Sequence, residues 1–575
     1  MKLLCINRNY SVTIETTQRK ALNTIRVYHY TMSEPNQTNN SRVEALPSHI
    51  ICDIAISGYG PVGMICAALL AQRGLKVVVV EQHPQRYHLS RAGHFDSEIM
   101  RIFQRLGIAS KMELRSQANL PYELRTAELE TLQKVTTGQR CSGWQQSYHC
   151  PSREIENIVN TRALELGVKV YMGVTAVAFT EENNRAQLMV RPTKSSEEET
   201  TTIDAAYVIG ADGANSFLRD AIKSQRLDLG FKPVENLLVD VEHNDPDRDI
   251  PGLPYNLQIL DVRRPRLAGR WGGTNWSRFE FTLLEGDTHE HFEAESTAWE
   301  FLKKWNITPE DAKIVRRSFW TLDSTIADKW RVGRALLAGD SVHTMLPFMG
   351  QGMCSGLRDA MNLSWKLDAV IKGEANSNLL DTYQLEREQH VRTFIDMAMS
   401  VGRVALVTDP EAARRRDEML RAGTGPRPPA FPKLVDGILP AKENRLGVEG
   451  RPSLQARVAL KDKIDRLDEF LEPGWVLVSR HKVIHNIFDS RQENLISVIK
   501  LQFAHVSRGV WSESDSFRDV DGEYDNWFIE TGCNAFLQRP DNYIFGAAKT
   551  IDEIPALLNE LGTCLTANGY HDLQY

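Results

Sequence analysis

No two of the eight cysteines (Cys5, Cys52, Cys66, Cys141, Cys150, Cys354, Cys533, Cys564) are spaced CxxC, and none stands with histidines at the intervals zinc uses. That excludes a paired-thiol redox centre, argues against structural zinc, and reads as a reduced, cytoplasmic protein. Nowhere do about 18 apolar residues run together, so the chain offers no membrane span. It also lacks any long Lys/Arg block, and its formal charge is -7, so nucleic acid is not an expected partner. At 575 residues the chain exceeds what one core organises, and two or three domains are expected.

The first 31 residues carry Lys2, Arg8, Arg19, Lys20 and Arg26 against one acid, Glu15, and have no apolar signal core. They read as an over-long start before Met32 or as an organelle transit peptide. We take the former, with residues 1–47 as an extension without fixed structure.

The first chemical statement is "DIAISGYGPVGMICAALLAQRGLKVVVVEQ", residues 53–82. Ile54 to Ile56, with Ile51 before them, form the short apolar run of a buried parallel strand. Gly58, Gly60 and Gly63 then complete GxGxxG: the first permits a tight turn, the second lets backbone approach a pyrophosphate, and the third lets helix pack on strand. Pro61 suits a helix start, whose amides face the phosphates. The helix ends at Gly74, a strand "KVVVV" follows, and Glu81 stands where an acid can accept from a ribose diol. This is a dinucleotide cradle, but by itself it does not choose between NAD and FAD. No second strand–GxGxxG–helix unit is present.

Two later segments decide it. "AAYVIGADGANSFLRDAI" sets an apolar strand before Asp212-Gly213, and "GRALLAGDSVHTMLPFMGQGMCSGLRDAMNLSWKL" sets another before Gly339-Asp340. A strand ending at Asp340 puts a carboxylate at the sheet's carboxyl edge, ready for the ribityl hydroxyls of a flavin. Pro347 and the loop Gly350-Gln351-Gly352 then lead into a helix with Leu357, Met361 and Trp365 on an inward stripe. Its bare amides and partial positive charge suit the negative pyrimidine edge of a reduced flavin.

Together these segments resemble the fingerprints of the single-component FAD-dependent aromatic hydroxylases. The resemblance implies an α/β fold: a para-hydroxybenzoate hydroxylase-like FAD-binding Rossmann domain with an interleaved β-rich substrate domain, plus a C-terminal thioredoxin-like domain without CxxC. The expected limits are 48–410 for the FAD and substrate parts, the latter at about 83–205 and 225–330. A Pro/Gly-rich linker is expected over 411–465, and the last domain over 466–575. It adds Val62, Gln82, Arg91, Arg153 and Met353 to the cofactor contacts, although either arginine reads equally as a surface ion pair. Asp96 resembles an aspartate beside the substrate hydroxyl in phenol hydroxylase and would help remove the phenolic proton; its other reading is a helix N-cap for "SEIMRIFQRL". His94, Trp276 and Arg278 are candidates for the cavity wall. The pattern departs at Glu280, where a tyrosine is expected.

The implied activity is an NAD(P)H-dependent monooxygenase: transient NADPH or NADH reduces FAD, O₂ adds at flavin C4a, and the hydroperoxide hydroxylates a phenol. Implied partners are a small aromatic substrate, O₂ and a second copy of the chain. The alternatives are oxygenation of a polyketide, heteroaromatic ring or ketone, and a non-catalytic FAD-binding protein.

Overall fold

The computed structural model describes residues 46–569 apart from 137, 139–141, 195–199, 246–249, 272–273, 425–430 and 510–515. The expected extension, up to residue 45, therefore lies outside the described residues.

Apolar runs without alternation become the central parallel sheet. Its order is Arg331–Val332, Ala335–Leu337, Tyr207–Gly210, Ile54–Ser57, Val77–Glu81, Lys169–Met172. All neighbours are parallel except the first pair. Strand Ile54–Ser57 is followed by helix Pro61–Gln72 and then by the strand on one side of it, while Tyr207–Gly210 lies on its other side. The chain order thus reverses between these two strands, and ligands of open α/β sheets bind at such a point. Ile51 does not belong to this sheet. It ends strand His49–Ile51, which pairs with Thr201–Ala205 in a separate four-stranded sheet, and it is 69% exposed. The Asn183-Asn184 turn, with both φ positive, closes the hairpin Val174–Glu182 to Arg185–Pro192 in that same sheet.

The second large sheet has seven strands in the order Ala312–Leu322, Val234–His243, Trp276–Thr282, Arg266–Arg270, Asn256–Ile259, Tyr122–Arg125, Thr131–Val135. One face carries Val239, Phe279 and Phe281 into a core with Phe292 and Trp305; the other face carries polar groups. The expected substrate limits need correction. Helix Ser152–Glu165 and strand Lys169–Met172 serve the parallel sheet, because "KVYM" completes its edge beside Val77–Glu81.

The C-terminal seven-stranded sheet runs Lys463–Arg466, Arg457–Leu460, Ser516–Asp519, Gln502–Ser507, Val476–Ser479, Ala535–Gln538, Ile544–Ala548. Two of its strands precede residue 467, and helix Pro410–Arg421 precedes the proline-rich stretch. The linker is therefore shorter than 411–465. Buried ion pairs tie this sheet to the rest of the chain: Arg101 and Arg105 on Asp468, and Arg539 on Glu386, which also takes Lys366. No helix among the described residues is long and apolar enough to cross a membrane.

Candidate active site

At the reversal point, Gly58 has φ +99°, and a Cβ there would stand 2.4 Å from the Ala211 carbonyl oxygen. A Cβ on Gly63 would stand 2.1 Å from the Gly58 carbonyl oxygen. Both glycines are demanded by the protein itself. Gly60 differs: the nearest atom to its added Cβ is Arg91 Nη2 at 3.9 Å, so no described protein atom crowds that position. Pro61 opens the helix, whose own ladder begins with Met64 N–H donating to Gly60 C=O. The N–H groups of Val62 and Gly63 thus stand outside that ladder. The side chain of Val62 wedges against Gly339 and Gly356, where added Cβ atoms would lie 2.8 and 2.5 Å from it. Val62 can address a cofactor only through its backbone.

Glu81 ends the neighbouring strand, its carboxylate accepting from Tyr59 N–H at 2.8 Å and His83 N–H at 2.9 Å. The Gln82 side chain is exposed, and its carbonyl accepts from Thr193 Oγ1. Asp212 Oδ2 accepts from Ser57 Oγ and Leu218 N–H, both at 3.2 Å, while Oδ1 is buried without a partner among the described residues. Burial raises this carboxyl against the pull of those donors. Gly213 follows with φ +82° and open space around it. Asp340 stands past strand Ala335–Leu337 with its side chain exposed. The crowding walls still raise its carboxyl by desolvation, with His343 and then Arg91 pulling the other way. Arg91 thus lies between Gly60 and Asp340, 3.9 Å from Glu156. Arg153 is exposed in the first turn of its helix, its backbone N–H reaching Ser90 Oγ.

Pro347–Met349 forms a 3₁₀ turn ending at Gly350, φ +61°, where a Cβ would meet His94 Nδ1 at 2.7 Å. Nδ1 lies 3.2 Å from Gly350 C=O and donates to it, since a carbonyl can only accept. The long helix Gly352–Ile371 starts here; its first internal bond is Ser355 N–H to Gln351 C=O, leaving the amides of Gly352, Met353 and Cys354 outside the ladder. The Gln351 side chain turns inward to Asp96 and Arg358, so only its backbone can reach a flavin.

Asp96 needs correction as the expected base. It is 2% exposed and caps helix Ser97–Arg105, Oδ1 accepting from Glu98 and Ile99 N–H at 3.1 and 3.3 Å. Its Oδ2 accepts from Arg358 at 2.5 Å and Gln351 at 3.0 Å. Burial alone would raise the carboxyl, but Arg358 and His94 hold it below the usual range, the opposite of what a base for a phenol requires. Arg358, which lies in the quoted Gly339-Asp340 segment but carries none of its expected contacts, also binds Glu98, which Tyr543, next to the last strand of the C-terminal sheet, approaches at 3.2 Å. Its one mark in the sequence is a charged pair, Arg358-Asp359, inside an otherwise inward-facing helix. Arg278 is likewise fully engaged: it binds Asp240 and the carbonyls of Ser90 and Arg91, and its guanidinium lies 4.5 Å from the Trp271 ring. Trp276 is half-buried at the start of the same strand, and His94 is half-buried beside the Gly350 loop.

These residues suit a flavin dinucleotide: a bare glycine in the phosphate cradle, an orphaned buried acceptor at Asp212, an open carboxylate at Asp340 and an uncapped helix start at Gly352. The fold and site define an FAD-dependent oxidoreductase. The family model described as "FAD binding domain" matches residues 51–398, and that described as "HcaD C-terminal domain" matches 450–563. Over 520 residues, 88% of this chain and 94% of the relative, the sequence is 35% identical to a probable NADH-specific resorcinol 4-hydroxylase of Rhodococcus jostii. It is 27% identical over 555 residues to a 3-(3-hydroxy-phenyl)propionate/3-hydroxycinnamic acid hydroxylase of Escherichia coli, covering 89% of this chain and 94% of that one. Aklavinone-11 hydroxylase, solved with FAD and aklavinone, shares the fold with a TM-score of 0.74 at 18% identity, covering 91% of this chain and all of that one. The chain belongs to the FAD-dependent aromatic hydroxylases.

Proposed function

We propose that this chain is an NADH-dependent monooxygenase that uses O₂ to hydroxylate a small phenol of the resorcinol type. What supports the reading is that Val62, in the first turn after Gly60, packs against Gly339, the neighbour of Asp340, and against Gly356 of the helix that starts at Gly352, joined to 35% identity with a relative named for NADH and resorcinol.

Bound FAD supplies the redox chemistry and the activation of dioxygen. The chain supplies position and shelter. The helix start at Val62-Gly63 and the bare Gly60 hold the pyrophosphate, with Arg91 adding positive charge. Glu81 accepts from the ribose, and Asp340 accepts from the ribityl chain. The unpaired amides of Gly352, Met353 and Cys354 stabilise negative charge at the pyrimidine edge. Asp96 is a positioning residue: with Arg358 it fixes Gln351 and so the backbone that bears those amides. Arg278 and Arg316, both on Asp240, bind the carbonyl of Ser90 and clamp the loop before His94 to the substrate sheet.

We read the C-terminal part as a thioredoxin-like domain without the dithiol, and its strand and helix order supports that reading. Parallel Val476–Ser479 and Gln502–Ser507 are linked through helix Ser490–Val498, and the antiparallel pair Ala535–Gln538 and Ile544–Ala548 precedes helix Ile554–Ala567. Its role is packing and subunit contact, within a cytoplasmic homodimer. Anaerobic mixing of the FAD-loaded protein with NADH tests the whole reading: resorcinol should speed flavin bleaching severalfold, and no stimulation by any of a panel of phenols would reject it.

A further inference from the structure

Buried polar atoms in folded proteins almost always have a partner. On the polar face of the substrate sheet several do not. Strand register defines that face. Arg278 stands opposite Asp240 and Glu280 opposite Leu238, while Asn236 stands opposite Trp320 on the other neighbouring strand. Leu267 faces Glu280 on one side and Gln258 on the other. Side chains alternate along a strand, so Asn236, Arg278, Glu280, Gln258 and Trp320 share one side. Tyr122 joins them, because it stands opposite Asn256, two residues from Gln258.

This side meets the cofactor crevice at two points. Arg278 binds the carbonyls of Ser90 and Arg91. Tyr122 and Phe348, the latter in the turn before Gly350, pack against one apolar cluster. Glu280 lies between them. Among the described residues, Tyr122 Oη, Asn236 Oδ1, Gln258 Oε1 and Trp320 Nε1 are buried with no partner. Asn236 and Gln258 are 6% and 2% exposed. The amide orientations are fixed by their other ends: Asn236 Nδ2 donates to Glu280 Oε2 at 3.4 Å, and Gln258 Nε2 donates to Arg266 C=O at 3.0 Å. Glu280 is 5% exposed, and among the described residues its carboxylate accepts only from Asn236.

We propose that Glu280, Asn236, Tyr122 and Gln258 form the recognition site for the ring hydroxyls of the substrate, with Glu280 as the proton acceptor. This rests on the phenol-hydroxylating reading and extends it to substrate class. The open atoms are mostly acceptors: a carboxylate oxygen, two amide oxygens and a phenol oxygen that can serve either way. They match a ring carrying O–H donors and repel a carboxylate, so the substrate is a neutral dihydroxybenzene rather than an arylpropionate. When a substrate O–H donates to Glu280, its proton passes to the carboxylate and the bonding pair stays on oxygen, giving a phenolate whose ring carbons are better nucleophiles. The neutral carboxyl returns the proton when product leaves. Burial raises Glu280 above the usual carboxylate range, narrowing its distance from a phenol. The charged groups facing it are Arg278 and Arg316, both held on Asp240, and Asp240 itself; Tyr122 is the titratable neighbour.

The test compares Glu280→Gln and Tyr122→Phe with the unaltered FAD-loaded enzyme, using resorcinol and 3-(3-hydroxyphenyl)propionate as probes. Glu280→Gln should lower kcat/KM for resorcinol about 100-fold or more and abolish the fall of kcat/KM on the acid side, with FAD absorbance retained. Tyr122→Phe should raise KM about tenfold, the loss of one hydrogen bond to substrate. Wild-type kcat/KM and pH profile in both variants, while the unaltered enzyme hydroxylates resorcinol, would overturn the inference. So would preference for the propionate. If Glu280→Gln emerges without FAD, Tyr122→Phe decides: a tenfold rise in KM supports the site, and an unchanged KM means the orphan hydroxyl serves no ligand and overturns it. An unaltered enzyme that hydroxylates no phenol rejects the functional reading instead.

Discussion

Gly60→Ala separates what the protein needs from what the cofactor needs. A methyl at residue 60 meets no protein atom closer than 3.9 Å, and φ of -80° is ordinary for alanine. As the residue capping the helix, alanine is less favourable than glycine, so the apoprotein should lose no more than about 1 kcal/mol. The same methyl projects into the space through which a pyrophosphate must approach the helix start. Overpacking of that kind costs about 1–3 kcal/mol, equivalent to roughly 5- to 150-fold in Kd. Gly58→Ala is the contrast, because its positive φ and the Ala211 carbonyl at 2.4 Å strain the fold with or without ligand. The assay is FAD titration of apoprotein by flavin fluorescence quenching, paired with apoprotein thermal melts. Gly60→Ala should melt near wild type and bind FAD weakly. Wild-type FAD affinity in Gly60→Ala would refute the assignment of this turn as the phosphate cradle.

Two further outcomes follow from the buried charges. Asp96→Ala removes a helix cap and leaves Arg358 with only Glu98 as a charged partner, so a loss of about 3–5 kcal/mol is expected, read as a lower urea midpoint and weaker FAD retention; unchanged stability with altered phenol pH dependence would restore Asp96 as a base. Burial, then His94 and Arg278, push His149 down to about 3. Its folded value lies below the unfolded one of about 6.5, so stability is lost as pH falls from about 6.5 towards 3, by about 1.4 kcal/mol per unit. Urea melts above and below that boundary should show the loss, and His149→Phe should flatten it.

The strand–turn–helix–strand unit was legible because all its parts are local: strand, glycines, helix, strand and Glu81 follow one another within 30 residues, and Gly58 and Gly63 each answer to a backbone constraint. Asp340 and the Gly350–Gly352 loop were legible for the same reason. Asp96 was ambiguous because the same side chain suits a cap or a base, and what decides it, Arg358, lies 262 residues away in sequence. Ile51 falls in a different sheet from the one expected, because an apolar run does not reveal where one strand ends and a differently paired one begins. The polar face around Glu280 was visible only as a departure from the expected tyrosine; that Tyr122, Asn236 and Gln258 share its side of the sheet follows from strand register, which no local pattern encodes.

The most direct measurement is turnover under isotopically labelled dioxygen. The FAD-loaded protein, given NADH and resorcinol, should yield a product heavier by one labelled oxygen atom, with one NADH consumed per product. NADH oxidation that yields only hydrogen peroxide across the phenol panel, or a product oxygen that derives from water, would contradict the account.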